Sequence, residues 1–362
     1  MEFRFIYLGR KGGGAEFFRA IWNTAQEVNF TQKISFVKSN YFQVPLHENI
    51  KSLECITTSS IHSIIKNPFK FLYFIRESFF IYKKNIQAVN IFLMPSPLDW
   101  VLVKIAKIKK EKVIFLIHDA VPHSGDWWPN SRSIRWRIRK SDALVTLSTF
   151  VTSQLKQSNV NIPILTLWHP IFNFDRNKLH VNNRFFVHFP NNKPILLFIG
   201  RIKSYKGLEV LLAKENEINQ LCNLVIAGEG RIPKQFNFAT VINKWLSDYE
   251  FTELINLSQI LIFPYKDASQ SGIIPIAINF KKYIITSNAG ALIEQIGSYE
   301  NVEFFNFEDP DTLIRAISNT IHKLQENTLP IFVAQNSLNF ELFLSKFLDF
   351  SLEISKSGKF RQ

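Results

Sequence analysis

The chain has 362 residues, 46% of them hydrophobic, and a formal net charge of +13. At ~150 residues per domain this length predicts two domains, and the apolar content excludes a disordered tail. Two widely separated cysteines, Cys55 and Cys222, exclude a disulfide framework and read as reduced, buried thiols.

The opening stretch, "MEFRFIYLGRKGGG", enters a strand pattern at residues 3–8 without the apolar core of a signal peptide. Gly12, Gly13 and Gly14 follow. They let a ligand approach the backbone, and a helix starting near Ala15 would aim its N-terminus at that ligand. The pattern is not G-x-G-x-x-G, so it carries no dinucleotide fingerprint; a flexible turn and a phosphate loop are both open. Further strands are expected at 34–37, 88–92, 113–117 and 143–147, the last followed by Ser148 as a helix N-cap. "KVIFLIHDAVPH" is a short apolar run ending in a polar cluster, as a parallel strand does at its carboxyl end. His118 therefore sits where a cleft residue sits, with a structural hydrogen-bonding role as the alternative. His118, Asp119 and His123 match no helical metal-ligand pair, so no metal is expected.

Residues 171–193 have weak periodicity and many Asn, and read as a linker between an N-terminal domain at 1–170 and a C-terminal domain at 194–345. Residues 346–362 read as a helix or tail packing back on the N-terminal domain. In the second half strands are expected at 195–199, 224–227, 260–263 and 284–287, with helices at 249–257 and 272–279. Strands alternating with helices in both halves imply an α/β protein of two Rossmann-like domains. Their parallel sheets would face each other across a ligand cleft at the strands' carboxyl ends.

"LLFIGRIKSYKGLEVLL" places Arg201 and Lys206 between a strand and a helix, framed by Gly200 and Gly207. A helix N-terminus favours an anion, and the two cations make a diphosphate clamp. Gly228 marks another close-approach turn. Ser269, Gln270, Ser271, Gly272 and Ile273 then bring hydroxyls, an amide and a helix start together, which suits a sugar and its phosphate. Glu294 opens a later helix and is either a ligand contact or a first-turn carboxylate stabilised by the helix dipole.

The charge is one-sided: residues 1–180 carry 25 Lys and Arg against 12 Asp and Glu, and residues 181–362 carry 18 of each. A polyanionic partner or a plain soluble basic half are the two readings. No run of ~18 apolar residues predicts a membrane-spanning helix. "FKFLYFIRESFFIYKK" is either ordinary core or an interfacial amphipathic helix, and "RSIRWRIRK" interleaves cations with Trp136.

Taken together, "LLFIGRIKSYKGLEVLL", "NLVIAGEG", "LIFPYKDASQSGIIPIAINFKKYIITSNAGALIEQI" and "LIHDAVPHSGD" resemble the retaining GT-B glycosyltransferases of family 4, over about residues 1–300. The resemblance implies a UDP- or GDP-linked sugar donor held by the C-terminal domain, an acceptor on the N-terminal domain, and no metal or other cofactor. It implies that Arg201 and Lys206 hold the donor diphosphate, that Gly12, Gly13 and Gly14 form the glycine loop, and that His118 contacts the transferred sugar. Many members carry two Glu residues eight apart after the fourth C-domain strand. Here Gln270 and Ser271 occupy that region and no Glu is present, so ribose recognition takes another form. The expectation is a cytoplasmic hexosyltransferase, peripheral on the inner face of a bacterial membrane. It would use a lipid-linked glycan acceptor in surface polysaccharide synthesis, such as O-antigen, lipopolysaccharide, capsule or exopolysaccharide. The alternatives are a nucleotide-sugar epimerase on the same fold and a non-enzymatic basic protein that binds nucleic acid or membrane, although no nucleic-acid motif occurs.

Overall fold

The computed structural model describes residues 1–9, 12–40, 49–53, 68–82, 87–123, 129–170, 192–326 and 339–357. It forms two units. One comprises Met1–Pro122, Asp126–Pro170 and Leu338–Gln362; the other comprises His123–Gly125 and Ile171–Ser337.

In the first unit the strands are β1 (Glu2–Tyr7), β2 (Lys33–Ser39), β3 (Ile50–Leu53), β4 (Ala88–Phe92), β5 (Lys112–Ile117), β6 (Ala143–Thr146) and β7 (Ile164–Thr166). The helices between them are α1 (Gly13–Glu27), α2 (Pro68–Ile81), α3 (Asp99–Ile108), α4 (Ser131–Lys140) and α5 (Thr149–Gln157). All seven strands run parallel in the order β3-β2-β1-β4-β5-β6-β7. Central strands covered on both faces are largely apolar, and β1, β4, β5 and β6 are buried at every position, with the buried Arg4 of β1 bonded to Asn90 of β4. Helix α1 starts at Gly13, two residues before the expected Ala15, because Gly12 adopts a φ of 135° and ends the preceding turn. Ser148 caps α5 by accepting from the Val151 amide. Burial of α3 comes with a polar anchor: Asp99 accepts from Arg137 Nη2 on α4 at 3.0 Å and from the Ser96 amide at 2.8 Å.

The second unit has β8 (Ile195–Ile199), β9 (Asn223–Ala227), β10 (Thr240–Ile242), β11 (Ile260–Phe263), β12 (Tyr283–Ser287) and β13 (Val302–Phe305). Its helices are α6 (Leu208–Ala213), α7 (Glu215–Leu221), α8 (Asp248–Leu257), α9 (Ile274–Asn279), α10 (Leu292–Ile296) and α11 (Asp311–Gln325). The sheet is again parallel, ordered β10-β9-β8-β11-β12-β13. Its core is a continuous hydrophobic cluster around Leu196, Ile226, Ile262 and Ile284. Cys222 is buried in it, and desolvation pushes its thiol up to about 12. Helix α9 begins at Ile274 rather than Gly272, with Pro275 in its first turn, where the missing N–H is no loss.

The final helix, α12 (Phe340–Lys356), belongs to the first unit, where Phe343 meets Phe17 of α1 edge-on at 5.6 Å between ring centroids. The boundary expected at 345 falls inside this helix, because Asn339 caps it by accepting from the Leu342 amide. The expected linker at 171–193 lies outside the described residues up to 191, as do Cys55 and Asp126.

Candidate functional site

In each sheet the strand order reverses once, between β1 and β4 in the first and between β8 and β11 in the second. Connections leave in opposite directions there, and such switch points are where open α/β sheets generally bind ligands.

At the second unit's switch point the chain leaves β8 through Gly200, whose φ is 125°. Gly228, at the end of β9, lies so close that a Cβ on it would sit 1.9 Å from the Gly200 carbonyl oxygen. Ile202 then bridges to Gly230, and the exposed Arg201 stands between these two backbone contacts. A 3-10 turn over Ser204–Lys206 follows, and Gly207, in the left-handed region at φ 68°, starts α6. Glycine is required at this position on two counts. The conformation disfavours a side chain, and a Cβ would fall 1.8 Å from the Pro264 carbonyl oxygen. The turn is thereby pressed onto the loop after β11.

That loop, residues 264–271, is tied at almost every step. Lys266 N donates to Tyr205 O at 2.8 Å. Ser287 Oγ donates to Tyr265 O at 2.5 Å, and Ala291 N donates to Ala268 O at 2.8 Å beneath Gly290. Ser271 N donates to Gln295 Oε1 at 2.6 Å. The result is a rigid platform for one cation. Lys206 Nζ lies 3.4 Å from the centroid of the Tyr265 ring, a buried phenol whose pKa burial pushes up. Ring faces attract ammonium groups, so the ring positions Lys206 at the turn. On the other side of the turn His123 stacks on Tyr205 at 4.3 Å, and its Nδ1–H donates to Asp267 at 2.8 Å.

At the first unit's switch point Gly12, Gly13 and Gly14 begin α1. A Cβ on Gly14 would meet Met94 Cγ at 2.8 Å, so Gly14 is needed for packing, whereas the space around Gly13 is open. His118 follows β5, and its Nε2–H donates to the Leu93 carbonyl beyond β4 at 2.9 Å. Burial lowers its pKa against the opposing pull of Asp119. The ring is therefore neutral near pH 7, and the tautomer set by Leu93 makes Nδ1 an acceptor. Phe17 of α1 packs against both His118 and His169, at 6.3 and 5.4 Å between centroids. Burial holds His169 down at about 4; its Nδ1–H donates to Pro170 O.

Two parallel α/β units with this strand order are matched by solved structures over nearly the whole chain. A sucrose-phosphate synthase from Thermosynechococcus elongatus superposes with a TM-score of 0.68 at 12% identity, covering 98% of this chain and 99% of that one. A glycosyltransferase from Rickettsia africae gives 0.66 at 20% identity, covering 99% and 100%. Anabaena HepE, solved in complex with UDP and glucose, gives 0.63 at 12% identity, covering 98% and 97%. This is the GT-B fold. Residues 193–323 match the family model described as glycosyl transferases group 1. No curated protein matches the sequence.

The site residues expected from sequence fall into two groups. Gly200, Arg201, Lys206, Gly228, Ser269, Gln270, Ser271, Gly272 and Ile273 gather around the second switch point, where Ile273 Cδ1 would lie 2.7 Å from a Cβ on Gly200. Gly12, Gly13, Gly14 and His118 gather around the first. Two expectations change in detail. Ser271 is buried and its hydroxyl faces inward, within 3.5 Å of Tyr265 Oη and 3.4 Å of the Ile273 amide, so it shapes the loop. The expected helix after the clamp is one of six residues, interrupted at Lys214 before α7. Glu294 is half-buried in the first turn of α10. Its neighbour Gln295 holds Ser271, and Tyr265 seats Lys206. Neither role was visible in the sequence, since both pairings depend on loops brought together by the sheet. Among the described residues no group of His, Cys, Asp or Glu has metal-holding geometry, and none of the described helices is long and apolar enough to cross a membrane.

Proposed function

We propose that the protein is a retaining, metal-independent hexosyltransferase. It moves a sugar from a UDP- or GDP-linked donor to a lipid-linked glycan acceptor in bacterial surface polysaccharide synthesis. The observation that carries the reading is the turn bearing Arg201 and Lys206, locked on the loop after β11 by Gly207 and seated on Tyr265. A planar fork and a point charge on a rigid turn, at the switch point of an α/β sheet, suit a diphosphate. The match of residues 193–323 to glycosyl transferases group 1 and the UDP and glucose complex of a similar structure support the same donor class.

In this reading the two cations stabilise charge as it develops on the departing nucleoside diphosphate. One such donor is worth ~3–4 kcal/mol of barrier. The acceptor hydroxyl attacks the anomeric carbon from the leaving-group side and passes its proton to the departing phosphate oxygen, so the sugar keeps its configuration. Neutral His118 accepts from a hydroxyl of the transferred sugar through Nδ1 and positions it. Gln270 and the backbone around Gly272 take the place of the absent Glu pair next to the ribose.

The test is a thermal-shift and calorimetric screen with UDP-, GDP-, ADP- and dTDP-linked sugars, followed by product analysis. Stabilisation by one nucleotide class and donor-dependent transfer with retained configuration are expected. Isomerised donor without transfer would support the epimerase alternative, and no affinity for any nucleotide sugar would overturn the reading.

A further inference from the structure

Helix α2 resolves a choice that its sequence leaves open. Phe71, Phe74, Ile75 and Ser78 recur at three- and four-residue spacing and face the interior, with Phe74 and Ser78 fully buried. A surface helix normally carries charge on the opposite face. Here that face is apolar: Phe69 is 83% exposed, Leu72 60%, Tyr73 41%, Phe79 51% and Phe80 53%. Helix α3 extends the stripe. Trp100, 45% exposed, stands 6.1 Å from Phe71 between ring centroids, and Ile108 is 64% exposed.

Among the described residues the exposed charge on these two helices is mainly basic. Lys70, Arg76, Lys104, Lys109 and Lys110 are exposed. The nearby acids are engaged: Glu77 pairs with Arg76, Asp99 is buried against Arg137, and Glu111 is buried against Arg4. Helix α4, the other basic and Trp-containing stretch, lacks such a face, because Arg137 turns inward onto Asp99 and Trp136 packs edge-on against Phe115 at 6.4 Å. Aromatic rings settle at the level of lipid headgroups while Lys and Arg reach the phosphates. A second copy of the chain would bring one lysine-rich rim against another, whereas an anionic leaflet complements it.

We propose that the outward face of α2, extended by Trp100 and Ile108 of α3, docks on an anionic lipid bilayer. The proposal names the partner of the first unit and agrees with a lipid-linked acceptor, but it stands on this face and not on the transfer reaction.

The experiment is flotation of the full chain with vesicles of phosphatidylcholine alone and of equal parts phosphatidylcholine and phosphatidylglycerol. Binding to the anionic vesicles, weakened by salt, is expected. Replacing Phe69, Phe79 and Phe80 together by Ser should lower partitioning by about tenfold or more. The side chains are exposed, so the urea midpoint should hold. Should that variant fold poorly, Lys104→Glu with Lys109→Glu gives the same loss by reversing charge. Wild-type protein that ignores anionic vesicles, or variants that bind as wild type, would overturn the proposal. A wild-type dimer dissolved by the Phe substitutions would also overturn it, by assigning the face to a second copy. Nucleotide binding is read on the same samples. Donor affinity without flotation removes only this surface, and flotation without donor affinity removes only the transferase reading.

Discussion

Gly207→Ala tests whether the clamp geometry depends on one backbone contact. The left-handed conformation at φ 68° costs a residue with a side chain ~1–2 kcal/mol. The new Cβ would also lie 1.8 Å from the Pro264 carbonyl oxygen. Overlap with backbone cannot be relieved by a rotamer, so the turn or the loop must move by about 1 Å, with an overpacking cost of ~1–3 kcal/mol. Together these give a loss of about 2–5 kcal/mol in urea unfolding. The same displacement separates Lys206 from its seat on Tyr265, and a misplacement of about 1 Å in a positioned group can reduce rate by ~10²-fold. Gly13→Ala is the matched control for stability. Nothing lies within 4 Å of its Cβ position, and replacing a helical Gly by Ala should add ~0.5–1 kcal/mol. The assays are urea denaturation of both variants and calorimetric titration of Gly207→Ala with the nucleoside diphosphate that the wild type binds. If Gly207→Ala unfolds at the wild-type midpoint and binds the nucleotide unchanged, the clamp does not depend on this contact and the reasoning fails.

Arg201→Ala should lower turnover by roughly 10²–10³-fold with little change in unfolding, since Arg201 is exposed; near-normal steady-state rates would remove it from the clamp. His169 supplies a pH signature. Its folded-state pKa of about 4 lies below the unfolded ~6.5, so the folded protein binds fewer protons in that window. Its contribution is complete above about pH 6.5 and is lost as pH falls toward 4, amounting to ~3 kcal/mol. Wild type minus His169→Gln in urea unfolding between those pH values isolates this slope from Asp99, whose pKa burial raises to about 6 in both proteins; parallel curves would refute it. Arg4 is buried and donates to Asn90 Oδ1 at 2.7 Å and Glu111 Oε2 at 3.0 Å. Arg4→Leu should therefore cost ~3–5 kcal/mol by leaving Glu111 unpaired, and adding Glu111→Gln should recover part of it in the same urea assay.

What the sequence discloses follows from how locally each feature is encoded. The central strands β1, β4, β5, β8, β9, β11 and β12 carry mostly apolar runs because both faces are covered, and such runs are readable in a single window. β3, β7, β10 and β13 were not expected: they are three or four residues long and largely half-exposed. Pairing with an already formed sheet, not composition, makes them strands. The clamp divides in the same way. Gly207 is suspicious in sequence because it sits between a strand and a helix, yet its reason is the Pro264 carbonyl, far along the chain. Tyr265 and Gln295 gave no local sign, since a buried Tyr and a helical Gln acquire their roles only when the loops after β8, β11 and β12 meet. Helix α2 makes the sharpest case. Both of its faces are apolar in sequence, so periodicity could not choose between core and interface. Only the position of the sheet decides that Phe74 and Ser78 are covered and Phe69, Phe79 and Phe80 are not.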